Sequence, residues 1–143
     1  MMKFYFIADE VEESVVVRAR SKNDKVIAIE KIVNDDKHKI NAYKNKEVYI
    51  FNIDEVICFF TNNNKINIYV DNEIYMLKYR MYQIETLIDD NFIKINQGCI
   101  VNKQYIKKFT FSIAGSIKVV LNNGFEDYIS RRELTKVKRS LGI

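Results

Sequence analysis

From Val56 to Val70 the chain reads VICFFTNNNKINIYV. Val56–Phe60 is an unbroken apolar run of strand length, and Ile66, Ile68 and Val70 alternate with polar or amphipathic residues. Between them, Thr61-Asn62-Asn63-Asn64-Lys65 reads as a turn, because asparagine tolerates left-handed backbone angles and hydrogen-bonds its own main chain. Two period-two segments about such a turn predict an antiparallel hairpin. Asp71-Asn72 offers a second turn, after which Ile74–Tyr79 returns as a further strand.

Upstream, Val48–Phe51 is another short apolar strand, joined to Val56 through Asn52-Ile53-Asp54-Glu55. Downstream the period changes: Met81, Ile84, Leu87 and Ile88 recur at helical spacing and predict one short amphipathic helix within Arg80–Asp89. Strand patterns resume at Phe92–Ile95, Cys99–Val101, Tyr105–Phe111, Ser116–Leu121 and Phe125–Ile129. Asn122-Asn123-Gly124 links the last two, with Gly124 supplying the positive φ of a tight hairpin. Ser130-Arg131-Arg132-Glu133 predicts a capping box, in which Ser130 caps a helix and Glu133 reaches back from its third position. Leu134, Val137 and Leu141 then turn one face of that terminal helix inward. Residues 40–143 are thus expected to be mainly β (α+β): packed small antiparallel sheets with one embedded short helix and a C-terminal helix.

Residues 1–39 follow another pattern. Lys3–Ile7 and Ser14–Arg20 read as strands around an acidic turn, Asp9–Glu13. Ser21–Asp24 offers a helix start, after which Val26, Ile29, Ile32 and Val33 recur at helical spacing. This strand–strand–helix extension is too small for an independent domain and reads as a cap or self-association element. A polar stretch, Asp35–Lys39, holds the only histidine, His38, and separates the extension from the rest.

A chain of 143 residues buries about 68–70% of its unfolded surface and needs no disulfide or metal to fold. No run approaches the roughly 18 apolar residues of a membrane span, and the apolar start Met1–Phe6 is too short for a signal peptide. Cys58 and Cys99 both lie in apolar runs and read as reduced core thiols, which suits the cytoplasm. The net charge of +4 hides an asymmetry: from Phe92 onward ten Lys/Arg face three acids, against thirteen bases and sixteen acids before it. Such a basic half suits a polyanionic partner.

Catalytic chemistry has little to stand on. One histidine in a polar stretch cannot serve as both base and metal ligand, and two cysteines some forty residues apart lack zinc-site spacing. The four glycines are isolated, so no phosphate loop forms. The expectation is a protein without enzymatic activity, cofactor, metal or small-molecule substrate. Two segments instead combine bases and amides with turns: FIKINQGCIVNK from Phe92 to Lys103, and NGFEDYISRREL from Asn123 to Leu134. Arginine grips guanine and asparagine or glutamine grips adenine through paired hydrogen bonds, while lysine anchors phosphates. Arg131 and Arg132 sit where the helix dipole disfavours cations, and anion contact supplies a reason for them.

Together these segments resemble the LytTR family of bacterial DNA-binding domains. The family signature, a phenylalanine, a basic residue, then "iVN" and an isoleucine, is matched by Phe92, Lys94, Ile100, Val101, Asn102 and Ile106. A closing "nG…iSRR" is matched by Asn123, Gly124, Ile129, Ser130, Arg131 and Arg132, and Asp54–Phe60 resembles the family's "I.yie" strand. The resemblance covers about Ile40 to Ile143. It implies a domain that reads double-stranded DNA with loops in the major groove, as a pair on repeated half-sites. Its base-reading positions fall at Asn62–Lys65, at Asn96 and Gln97, and at Arg132. Asn96, Gln97 and Gly98 depart from the usual histidine, variable polar and serine pattern. Stand-alone members of the family tend to act with a membrane or sensor protein.

The DNA-contacting set expected is Asn62, Asn64, Lys65, Lys94, Asn96, Gln97, Asn102, Lys103, Ser130, Arg131, Arg132 and Lys136. Competing roles attach to some of these: Asn102 can satisfy backbone groups, and Gln97-Gly98 can be a plain tight turn. Lys107 and Lys108 serve equally as strand-edge charges. The alternative function is a single-stranded nucleic-acid-binding or protein-interaction module, with the strand aromatics as stacking platforms.

Overall fold

The computed structural model describes residues 3–6, 14–34 and 39–143. Contacts divide the chain into two units, Met1–Lys37 and His38–Ile143.

In the first unit the expected helix forms as α1 (Asp24–Asn34). Asn23 starts it, its side-chain oxygen accepting the Val26 N–H at 3.0 Å. Among the described residues, 3–6 and 14–20 pair with no strand. Apolar alternation reports which side chains seek burial, but a strand exists only where a neighbour takes its N–H and C=O groups. Ile7 and the acidic turn Asp9–Glu13 lie outside the described residues, as does the polar stretch up to His38. Lys39 opens a strand rather than closing a linker.

The second unit is antiparallel throughout. Ten strands run β1 (Lys39–Lys44), β2 (Glu47–Asn52), β3 (Val56–Asn62), β4 (Lys65–Val70), β5 (Glu73–Met76), β6 (Phe92–Asn96), β7 (Cys99–Asn102), β8 (Ile106–Phe111), β9 (Ile117–Leu121) and β10 (Glu126–Tyr128). Helix α2 (Met81–Leu87) is embedded after β5, and α3 (Arg131–Leu141) closes the chain. Seven strands form one sheet in the order β2-β1-β5-β4-β3-β7-β6, and β10-β9-β8 form a second. The Val56–Val70 hairpin is present, with Asn62 opposite Lys65 and Asn63 and Asn64 at φ of 51° and 61°. Two successive positive φ values make a turn whose twist matches the strands it joins. Gly124 likewise has φ of 89° in the β9–β10 turn.

Strand alternation divides the side chains of the large sheet between two cores. On one face Val56, Phe59, Ile66, Ile68, Phe92 and Ile100 pack with Ile84 of α2. On the other, Cys58, Ile93, Ile95, Cys99 and Val101 pack with Ile117, Val119 and Leu121 of the small sheet and Val137 of α3. Phe60, Tyr69 and Phe125 join the two sheets as an aromatic trio, with ring centroids 5.2 to 5.7 Å apart. The aromatics of β3, β4 and β6 are thus consumed by packing. Toward the β2 edge Val48, Ile50 and Ile74 of the second face are exposed.

Candidate nucleic-acid interface

Two backbone hydrogen bonds gather the segments singled out in the sequence. Thr61, at the end of β3, donates its N–H to the Gly98 carbonyl at 2.9 Å. This sets the Asn63-Asn64 turn beside the Gln97-Gly98 turn between β6 and β7. Ser130 donates its N–H to the Ile95 carbonyl at 2.8 Å, which brings the start of α3 to that same end of β6. Two hairpin turns and one helix N-terminus therefore share one end of the unit.

The Asn96 side chain braces this end. Its Nδ2 donates to Asp127 Oδ2 at 3.0 Å and to the Tyr128 carbonyl at 2.9 Å, and its Oδ1 accepts the Gly98 N–H at 2.9 Å. Both donors and the acceptor are engaged, so Asn96 has little left with which to grip a base edge. It positions the Gln97 turn against β10. Gln97 is exposed at the tip of that turn, and Asn62, Asn63, Asn64 and Lys65 are exposed on the neighbouring one.

The start of α3 is half the capping box expected. Ser130 Oγ accepts the Glu133 N–H at 3.3 Å. The reciprocal bond is missing because the Ser130 N–H is already given to Ile95. Ser130 is therefore spent on the helix. Arg131, Arg132 and Lys136 are exposed and have no carboxylate partner among the described residues. Arg132 and Lys136 are four residues apart, so they share one face of α3, while Leu134, Val137 and Leu141 pack inward.

Three expected contacts fall elsewhere. Asn102 is 1% exposed. Its Nδ2 donates to the carbonyls of Asp54 and Val56 at 3.2 and 3.0 Å, and its Oδ1 accepts the Gln104 N–H at 3.2 Å. The amide closes backbone groups where β3 begins and cannot reach a ligand. Lys103 follows at the far end of β7, roughly 13 Å of strand from the Gln97 turn at about 3.3 Å per residue. Lys94 is half-buried and pairs with Glu85 of α2 at 2.9 Å, so its charge is largely answered within the chain. Sequence reasoning missed Asp127, whose carboxylate holds both Asn96 and the Tyr128 N–H. No local pattern signals it, since Asn96 is 31 residues away.

Both cysteines lie inside the second core. Burial pushes the Cys58 thiol from 9.0 up to about 12 and raises Cys99 as well, and both are free and buried. Among the described residues no group of three or more His, Cys, Asp or Glu side chains could hold a metal ion. No described helix is long and apolar enough to cross a membrane.

The model of the LytTr DNA-binding domain family matches residues 46–142. An "Uncharacterized HTH-type transcriptional regulator" of Staphylococcus aureus strain NCTC 8325 is 36% identical over 147 residues, covering all of both chains. The similarly named protein of bovine strain RF122 is 35% identical over the same length. The solved LytTr DNA-binding domain of a putative methyl-accepting/DNA response regulator from Bacillus cereus superposes with a TM-score of 0.69. It covers 75% of this chain and 99% of its own at 18% identity, a likeness of fold.

Proposed function

Because the chain belongs to the LytTR family of DNA-binding domains, we propose that it is a bacterial transcriptional regulator that reads specific double-stranded DNA with its turns. The proposed readers are Gln97, the Asn62–Lys65 turn and Arg132, with Arg131 and Lys136 anchoring phosphates. The observation that carries the reading is the pair of backbone bonds, Thr61 to Gly98 and Ser130 to Ile95, which hold all these groups at one end. A single rigid end bearing uncommitted cations and exposed amides suits successive groove faces of one duplex.

The regulator names of the Staphylococcus relatives support the transcriptional role. Their "HTH" has no counterpart among the described residues: β1 to β5 separate α1 from α2, and β6 to β10 separate α2 from α3. The reading is accordingly of turns in the groove and not of a recognition helix. Phe60 and Tyr69 pack against each other and against Phe125, which removes these three as a platform for stacked single-stranded bases. Two copies would engage repeated half-sites, in the cytoplasm, where the chromosome lies.

Selection of bound sites from a random duplex pool tests this reading. Enrichment of a repeated short motif is expected. A pool that stays random while the protein retains duplexes uniformly would reduce it to a non-specific polyanion binder.

A further inference from the structure

We propose that Lys78 and Arg80, on the connection between β5 and α2, form a second site for the phosphodiester backbone of duplex DNA, on the flank of the turn end opposite α3. This clamp rests on the DNA reading above and adds to it a hold on the other side of the same groove. Composition does not signal these two cations, because the residues before Phe92 carry more acids than bases. The topology brings them to the basic end.

One backbone bond sets the position. Leu77 donates its N–H to the Ile66 carbonyl at 2.8 Å, where β4 leaves the Asn63-Asn64 turn. The residues that follow Leu77 are thereby held beside Lys65. Lys78 is exposed, and its Nζ stands 4.4 Å from the centre of the Tyr43 ring. A ring face holds an ammonium through its quadrupole and leaves N–H donors open to an anion. Less side-chain freedom then remains to be lost on binding. Arg80 is exposed two residues on, at the start of α2, where Gln83 Oε1 accepts its backbone N–H at 2.8 Å. That bond fixes the main chain from which the guanidinium projects. Among the described residues Lys44, Lys94 and Lys118 each meet a carboxylate, and Lys78 and Arg80 do not.

Strand order supplies the spacing. The large sheet runs β5-β4-β3-β7-β6 across this end. Lys78 and Arg80 follow β5, and the Ser130–Ile95 bond puts Arg131 next to β6. Four strand spacings of about 4.8 Å separate those two strands, roughly 19 Å in all. The Asn63-Asn64 turn joins β3 to β4 and the Gln97 turn joins β6 to β7, so the exposed amides lie between two sets of cations. A major groove about 12 Å wide has the same order, base edges between two phosphate backbones. Cations on one flank alone would let the duplex pivot about α3, whereas cations on both fix the tilt at which Gln97 enters the groove. Phosphate contacts of this kind set register and orientation and carry no sequence information themselves.

Binding of the full chain to a selected duplex and to a random duplex, followed by fluorescence anisotropy over a series of salt concentrations, tests the clamp. Each neutralised phosphate contributes about 0.9 to the slope of log affinity against log salt. Lys78→Gln and Arg80→Gln should each lower that slope by about 0.9 and weaken both duplexes by the same factor, about eightfold near 0.1 M salt. The selected motif should not change. Lys78→Arg should keep the wild-type slope. So should Lys46→Gln, in the β1–β2 turn, which points away from this end because β1 runs antiparallel to β5. A slope unmoved in either glutamine variant at 78 or 80, a drop for Lys78→Arg or Lys46→Gln, or an altered motif would each overturn the proposal. A wild type that enriches no motif, with slopes that still fall in the variants, would remove the sequence-reading function and leave the clamp standing. An enriched motif with unmoved slopes would remove the clamp alone, and a wild type that binds no duplex would remove both.

Discussion

The backbone N–H of Ser130 ends on the carbonyl of Ile95, 2.8 Å away, and this bond fixes where α3 begins relative to the large sheet. It satisfies one of the donors a helix start leaves open, and it makes the glutamate arm of the capping box superfluous. The arginines that follow are thereby held next to the Gln97 turn, although β7, β8, β9 and β10 all intervene in the chain.

Arg132→Ala should weaken binding to the selected site by about 1–3 kcal/mol and relax specificity at one base pair. The side chain is exposed, so thermal unfolding should not shift. Titrations against a panel of duplexes with single base-pair changes measure it, and an unchanged panel would remove Arg132 from the readers.

Asn102→Ala should act on the fold. It removes the bonds to the Val56 carbonyl and the Gln104 N–H and leaves the Asp54 carbonyl only the Gln104 side chain, at a cost of roughly 1–3 kcal/mol. Urea unfolding reads the loss, while DNA affinity per folded molecule stays at the wild-type value.

Asn96→Ala should do both. It frees the Gly98 N–H and the Asp127 carboxylate, costing about 1–2 kcal/mol of stability. With the brace gone, site selection should blur at the positions assigned to Gln97. A variant that keeps the wild-type motif would show that the turn holds its shape unaided.

The thiols set an alkaline limit. Cys58 has an ordinary pKa of 9.0 in the unfolded chain and about 12 when folded, raised first by burial. The folded state therefore retains a proton that the unfolded state releases, and stability falls as pH rises from about 9 toward 12. The slope for one thiol is at most about 1.4 kcal/mol per pH unit. Cys58→Ala should flatten this part of the stability profile relative to wild type, as read by urea unfolding at a series of pH values.

Much of the second unit was legible because its turns carry their own chemistry. Asn63-Asn64 and Gly124 announce positive φ, and Ile66, Ile68 and Val70 announce which face is buried. The extension was harder: Val15, Val16 and Val17 signal strand formation without saying what they pair with. The site divides in the same way. Arg132 and Gln97 stand out as polar side chains at turns, and they remain exposed. Asn96 and Asn102 look identical to them in sequence, yet their partners lie 31 to 48 residues away, across strand registers that no local pattern encodes. Lys94 resembles a phosphate anchor until α2 brings Glu85 to it.

Gln97, Asn63, Asn64 and Arg132 project from turns or a helix start, and neither core includes any of them. Gln97 and Arg132 can be exchanged without disturbing the packing that folds the chain, whereas Asn63 and Asn64 hold positive φ angles that few other residues adopt. A lineage carrying this scaffold is therefore free to follow drift in its target sites one side chain at a time, keeping a folded protein at every step.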